Sequence, residues 1–216
     1  MAASHQPRRR RSAEEARREI LRVAAGHLVA TGPDAIRLHT IAREMGVTHQ
    51  AILRHFRTRD QLVASLLRHA GKRLRETLAT AVAAPEPAPA SVRTLYDAMD
   101  RVYRRRGYAR LSARLALAGT PLAGSGLYRD AADAIHRQRA RTGAVRPPAL
   151  EDTRFAVALL SLVAWGDALV GGAMRRAAGL SDDELTAQRF RVWFATLVTD
   201  HLLHRWRSRA RVTAGH

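Results

Sequence analysis

The sequence predicts an all-α chain of about nine helices, with a small N-terminal domain followed by a larger C-terminal one. Three observations carry this expectation. Apolar residues recur at three- and four-residue spacing along most of the 216 positions, and no segment shows sustained strand alternation. Gly and Pro clusters interrupt that periodicity between helical stretches. The apolar fraction is 46%, enough for a packed core, and cysteine is absent, so neither disulfides nor thiolate metal sites are available.

Taken in order, residues 1–11 read as a disordered basic arm, with arginine at Arg8 through Arg11. Ser12 followed by Glu15 is a capping-box pattern that opens the first helix. Ile20, Leu21, Ala24 and Leu28 give that helix one apolar face, and Gly32-Pro33 stops it. Two short helical patterns follow, His39 to Met45 and His49 to Phe56, closing a domain over 12–58. A connecting helix spans 59–82, with Leu62, Leu66, Leu67, Leu74 and Leu78 as its apolar positions. Three prolines in Ala84-Pro85-Glu86-Pro87-Ala88-Pro89 forbid helix there. Residues 83–216 form the C-terminal domain, with helices near 91–106, 109–119, 127–142, 150–178 and 182–207. Gly and Pro clusters at 119–126 and 143–148 separate them.

The most informative stretch is Ile41-Ala42-Arg43-Glu44-Met45-Gly46-Val47-Thr48-His49-Gln50-Ala51-Ile52-Leu53-Arg54-His55-Phe56. Ile41, Ala42 and Met45 give a short helix an inward face, and Ala42 is small where a second helix must cross. Gly46 suits the left-handed backbone of a tight turn. Val47 is expected to plug the turn from inside, with Ile52 and Phe56 anchoring the second helix. Thr48, His49, Gln50, Leu53 and Arg54 remain outward, and most can donate to or accept from base edges and phosphates. This is the logic of a helix-turn-helix, whose second helix enters the major groove N-terminus first.

Residues 12–70 resemble the DNA-binding domain of TetR/AcrR-family transcriptional regulators. The matching positions are Ile41-Ala42, Gly46-Val47, Thr48, His55-Phe56, and Arg59 with Leu62. The chain departs from the family pattern at Leu53, where the family has Tyr, and at Arg37-Leu38, where it has Thr or Ser. The resemblance implies that His39, Thr48, His49 and Gln50 face base edges, Gln50 being suited to a bidentate contact with adenine. It implies that Arg37, Thr40, Arg54 and Arg59 hold phosphates, which fixes register without reading sequence. His55 is expected to cap or contact the backbone. The arginine arm either follows an adjacent groove or is a solvated tail.

One recognition helix contacts few base pairs, so such modules bind near-palindromic double-stranded DNA as symmetric homodimers. The dimer surface is expected from the last two long helices, through Phe155, Leu159, Leu162, Val163, Phe190, Trp193, Phe194, Leu197 and His201. The resemblance implies a four-helix bundle built from these helices of two subunits. It also implies a small-molecule effector site, expected near Tyr96, Met99, Tyr103, Tyr108, Leu111, Leu115, Tyr128, Trp165 and Asp167. Tyrosines with polar tips and a methionine suit an aromatic or lipophilic effector. Asp167, if buried, requires an arginine or a cationic ligand as partner, or a salt bridge across the dimer. The expected function is a repressor released from its operator by the effector. An activator of the same fold and a nonspecific architectural DNA-binding protein are the alternatives.

The net charge of +18 agrees with an anionic partner. Lys72 is the only lysine, so a coding bias toward arginine accounts for part of that excess. No enzyme site stands out and no cofactor is expected. Gly119-x4-Gly124-Ser125 lacks the lysine and preceding strand of a phosphate loop, and His201 with His204 lacks a third metal ligand. Phe155 to Met174 is about the length of a membrane span. Asp167 and three glycines within it favour a buried interface helix, so no membrane partner is expected. No secretory signal is visible, and the expected location is the bacterial cytoplasm, associated with DNA.

Overall fold

The computed structural model describes residues 12–83, 90–119, 126–140 and 149–212. The arginine arm, the proline-rich stretch at 84–89 and the Gly124-Ser125 segment lie outside the described residues. Those residues form nine α-helices and no strand. They are α1 (Ala13–Thr31), α2 (Leu38–Glu44), α3 (His49–Leu53), α4 (Arg59–Ala83), α5 (Ala90–Asp100), α6 (Tyr108–Leu117), α7 (Arg129–Ala140), α8 (Leu150–Ala177) and α9 (Glu184–Val212). A 3₁₀ turn covers Pro33–Ala35 and a π turn covers Arg101–Arg105.

The chain divides into two compact units, Met1–Leu67 and Arg68–His216. The division falls within α4, eight residues beyond its expected start, because the first turns of α4 supply Leu62, Val63 and Leu66 to the N-terminal core.

In the first unit, α1 opens on a complete capping box. Glu15 N–H donates to the Ser12 hydroxyl at 3.1 Å and Ser12 N–H donates to the Glu15 carboxylate at 2.8 Å. Ile20, Val23, Ala24 and Leu28 are buried, as are Ile36, Ile41, Ile52 and Phe56. Gly32, at φ +91°, ends the helix. Mid-helix Gly26 is exposed, and a Cβ there meets nothing within 4 Å. Gly26→Ala is therefore expected to stabilise the domain by about 0.5–1 kcal/mol, read as a higher urea midpoint.

In the second unit, Leu74, Leu78, Leu95, Tyr96, Met99, Val102, Leu111, Leu160 and Phe194 are buried. The helix expected over 91–106 is interrupted: after Asp100 the backbone widens into the π turn and ends at Gly107, φ +69°. This turn carries Arg104, which Asp100 and Asp167 hold at 2.8 and 2.6 Å. Periodicity alone does not show such an inserted residue.

Candidate nucleic-acid interface and effector region

The interface is built on α2, the turn and α3. Ile41 and Ala42 of α2 and Ile52 of α3 are buried, as is Phe56 just beyond α3. Gly46 takes φ +63°, and its neighbour Val47 donates its N–H to the Ala42 carbonyl at 3.0 Å. Val47 itself is 38% exposed. The expectation that it plugs the turn is corrected: its backbone closes the turn, and its side chain faces outward. A Cβ at Gly46 meets no neighbour but forces a residue with a side chain into the left-handed region. Gly46→Ala is expected to destabilise by about 1–2 kcal/mol, the opposite sign from Gly26→Ala in the same unfolding assay.

Thr48 is the N-cap of α3, its hydroxyl accepting from Ala51 N–H at 3.2 Å. His49 and Gln50 follow as the first helical residues, and both are exposed. Arg37, His39 and Arg54 are exposed as well, while Thr40 and His55 are half-buried. Arg59 is half-buried: its guanidinium donates to the carbonyls of Ile36 at 2.9 Å and Pro33 at 2.8 Å. It therefore ties the 3₁₀ turn to the start of α4, a structural task not foreseen from the sequence. The same holds for Arg17, which was not singled out. It donates to the His55 carbonyl at 3.0 Å and to the Ser65 hydroxyl at 3.2 Å, with its guanidinium carbon 4.3 Å from the Phe56 ring centroid. Through these contacts α1 braces the end of the recognition segment against α4.

In the second unit most of the polar tips expected around an effector are engaged with one another. The Tyr96 hydroxyl donates to Asp167 at 3.1 Å, Tyr103 and Tyr128 share a hydrogen bond, and Trp165 donates to the Ser112 hydroxyl at 2.8 Å. Burial first, then Asp167, pushes the Tyr96 phenol well above its ordinary range, and burial raises Tyr108. Tyr96, Met99, Tyr108 and Leu111 are buried core, and Leu115 is half-buried.

Asp167 takes the arginine alternative, within its own chain. Its carboxylate pairs with Arg175 on α8 and with Arg104, which also reaches the Asp167 carbonyl at 3.0 Å. Asp100, Arg191 and Glu184 extend the array, Arg191 meeting Glu184 at 2.5 Å. Asp167, Gly171 and Arg175 lie at i, i+4 and i+8 on α8. A Cβ at Gly171 overlaps the Asp167 carboxylate, so glycine makes room for the pair.

Among the described residues, open space is found between α4 and α7. A cleft of about 700 Å³ separates α4 from α7, between residues such as Leu78, Val82, Ala131 and Gln138. Beside it a small apolar chamber of about 40 Å³ is lined by α4, α5, α7, α8 and α9, and Val82 and Gln138 belong to both.

The dimer candidates fall mostly on the surface. Phe155, Leu159 and Leu162 are exposed at i, i+4 and i+7 on α8, and Trp193, Leu197 and His201 at i, i+4 and i+8 on α9. Val163 and Phe190 are half-buried. Phe194 is corrected: only 5% exposed, it stacks on Phe190 and meets Tyr96 edge-on inside its own protomer. Val170, Met174 and Val192 are exposed apolar residues that sequence reading passed over.

A short helix pair with buried anchors and an outward, hydrogen-bonding second helix defines a helix-turn-helix DNA-binding protein. Residues 20–66 match the bacterial regulatory proteins of the tetR family. The HTH-type transcriptional repressor Rv3405c of Mycobacterium tuberculosis is 32% identical over 182 residues, covering 83% of this chain and 85% of the relative. An HTH-type transcriptional regulator of Mycobacterium bovis matches equally. Among solved structures, a protein of unknown function from Rhodococcus is 25% identical with a TM-score of 0.57, covering 91% of this chain and 98% of its own. A protein from Saccharomonospora viridis in complex with choline is 20% identical, TM-score 0.58, covering 88% and 97%. A TetR variant from Acinetobacter baumannii in complex with minocycline is 16% identical, TM-score 0.56, covering 84% and 93%. The chain belongs to the TetR family of bacterial DNA-binding transcription regulators.

Proposed function

We propose that this protein is a cytoplasmic homodimeric repressor that reads a near-palindromic operator and leaves it when a small molecule occupies the second unit. The observation that carries the DNA reading is the exposed start of α3, where His49 and Gln50 project from a helix anchored by buried Ile52 and followed by buried Phe56. Side chains of this kind at a recognition helix's first turn reach base edges, while Arg37, Thr40 and Arg54 serve phosphates. Arg59, already donating to two carbonyls, is the least free of the proposed phosphate ligands. The relative named as a repressor supports the sign of regulation.

The apolar rows on α8 and α9 support dimerisation. α8, Leu150–Ala177, is the one described helix long and apolar enough to cross a membrane. A second copy explains its exposed Phe155, Leu159 and Leu162 equally well, together with the exposed Trp193 and Leu197 of α9. Release then follows if the effector favours a state whose two recognition helices no longer match one face of DNA. α4 belongs to both units and is the proposed lever.

Leu162→Glu with Trp193→Glu tests the dimer. The wild-type chain is expected at twice its 23.9 kDa mass by light scattering, the variant at that mass, with duplex binding lost. A monomeric wild type that still binds duplex tightly contradicts this reading. Repression is tested with a reporter carrying the bound sequence: wild-type expression is expected to lower output, and a rise identifies an activator.

A further inference from the structure

α3 has five residues, His49–Leu53, too few to fix its own direction through internal hydrogen bonds. What holds it from outside therefore sets where it points. Thr48 caps its start, Ile52 is buried near its middle, and beyond it the chain turns through Arg54 and His55 to buried Phe56. At that exit the side chain of Arg17, from α1, meets three groups at once. Its Nη1 donates to the His55 carbonyl at 3.0 Å, and its Nη2 donates to the Ser65 hydroxyl of α4 at 3.2 Å. Its guanidinium carbon lies 4.3 Å from the Phe56 ring centroid. Ser65 and Phe56 are buried, while Arg17 itself is exposed.

We propose that Arg17 is a positioning residue for DNA recognition. It sets the angle of α3, and so the placement of His49 and Gln50, without itself touching DNA. This rests on the reading above that the start of α3 reaches base edges. Two arguments carry it. The first is the chemistry of the guanidinium. A planar fork reaches acceptors on two different elements while its face lies on a ring, which the point charge of an ammonium does not do. Both terminal nitrogens, which would grip a phosphate, are already donating within the protein. The second argument is leverage. Ile52 lies midway between His49 and His55. A shift of the exit about that buried anchor is mirrored at the reading end, roughly 4.5 Å along the axis on the other side. An N–H···O bond tolerates about 0.5 Å of donor–acceptor distance. Displacement of the exit by about that much therefore costs a base contact, although no base-reading side chain has changed.

The test measures fluorescence anisotropy of the full-length wild type, Arg17→Gln and Arg17→Lys at several salt concentrations. Each is titrated with a duplex that the wild type selects from random DNA and with a random duplex. Circular dichroism and the urea midpoint establish that each variant is folded under the binding conditions. Arg17→Gln is expected to lower the selected-to-random affinity ratio by about tenfold, the worth of one base contact, with the salt slope unchanged. Arg17→Lys keeps the charge and is expected to lose nearly as much. A direct phosphate contact gives the opposite pattern: both duplexes weakened alike, a slope smaller by about one unit, and recovery in Arg17→Lys. That pattern, or an unchanged ratio in folded Arg17→Gln, overturns the proposal. Should Arg17→Gln fail to fold, Ser65→Ala removes one anchor of the fork and is expected to lower the ratio about threefold. An unchanged ratio in that variant overturns the proposal as well. The two readings fail separately. A ratio that falls in the His49 and Gln50 double variant but not in folded Arg17→Gln removes the positioning role alone. A wild type with no preference among duplexes removes the reading of α3 and the positioning role with it.

Discussion

Replacing His49 and Gln50 together with alanine is expected to abolish discrimination among duplex sequences while leaving the fold intact. Both side chains are exposed at the start of α3, which Thr48 caps. Thr48, which caps the helix, and Ile52, which anchors it, are untouched. Surface changes of this kind alter stability by about 0.5 kcal/mol or less. Each well-placed base contact is worth about 1–3 kcal/mol of discrimination, so losing two lowers the specific-to-random affinity ratio on the order of a hundredfold or more. Arg54→Gln offers the contrast. It is expected to weaken binding to all sequences alike and to reduce the salt slope by about one unit, as a phosphate contact does. Fluorescence anisotropy with a selected and a random duplex, at several salt concentrations, separates the two effects. An unchanged affinity ratio in the double variant contradicts the assignment of α3.

The second large effect is expected at Asp167. Its carboxylate is buried between Arg104 and Arg175 and accepts from Tyr96. Asp167→Ala leaves the buried Arg175 guanidinium without its anion, and Arg175 Nε already lacks a hydrogen-bond partner among the described residues. Removing one partner of such a pair costs about 3–5 kcal/mol, read as a lower urea midpoint. Gly171→Ala is expected to act in the same direction, because its methyl displaces the carboxylate. Changing both members, Asp167→Leu with Arg175→Met, is expected to recover much of the loss, since no buried charge is then stranded. If Asp167→Ala unfolds at the wild-type midpoint, the array does not hold α5, the π turn, α8 and α9 together as described.

Elements set by local chemistry were legible in the sequence. The Ser12–Glu15 box opens α1, Gly32 closes it, Gly46 turns between α2 and α3, and Ile52 and Phe56 are buried. Each depends on residues within a few positions of one another. What escaped depends on distant partners. Phe194 is as apolar as Trp193, and periodicity alone did not show that it turns inward to Tyr96. Arg17 and Arg59 look like surface cations, yet their guanidinium groups bind main-chain carbonyls 38 and 23 residues away. The effector site implied by the resemblance was expected near the tyrosines, but Tyr103 and Tyr128 bond to each other, and among the described residues a cleft lies between α4 and α7. Asp167 was recognised as needing a partner. That Arg104 would reach it depends on a π turn that no spacing rule signals.

The central claim is that two copies of α3 read one duplex about a twofold axis. Selection of bound sequences from random duplex DNA by the purified wild-type chain tests it most directly. The account predicts an enriched inverted repeat whose half-sites are centred about one helical turn, or a multiple of it, apart, and whose enrichment disappears with the His49 and Gln50 double variant. Enrichment of a single unrepeated site, or of no sequence at all, contradicts it.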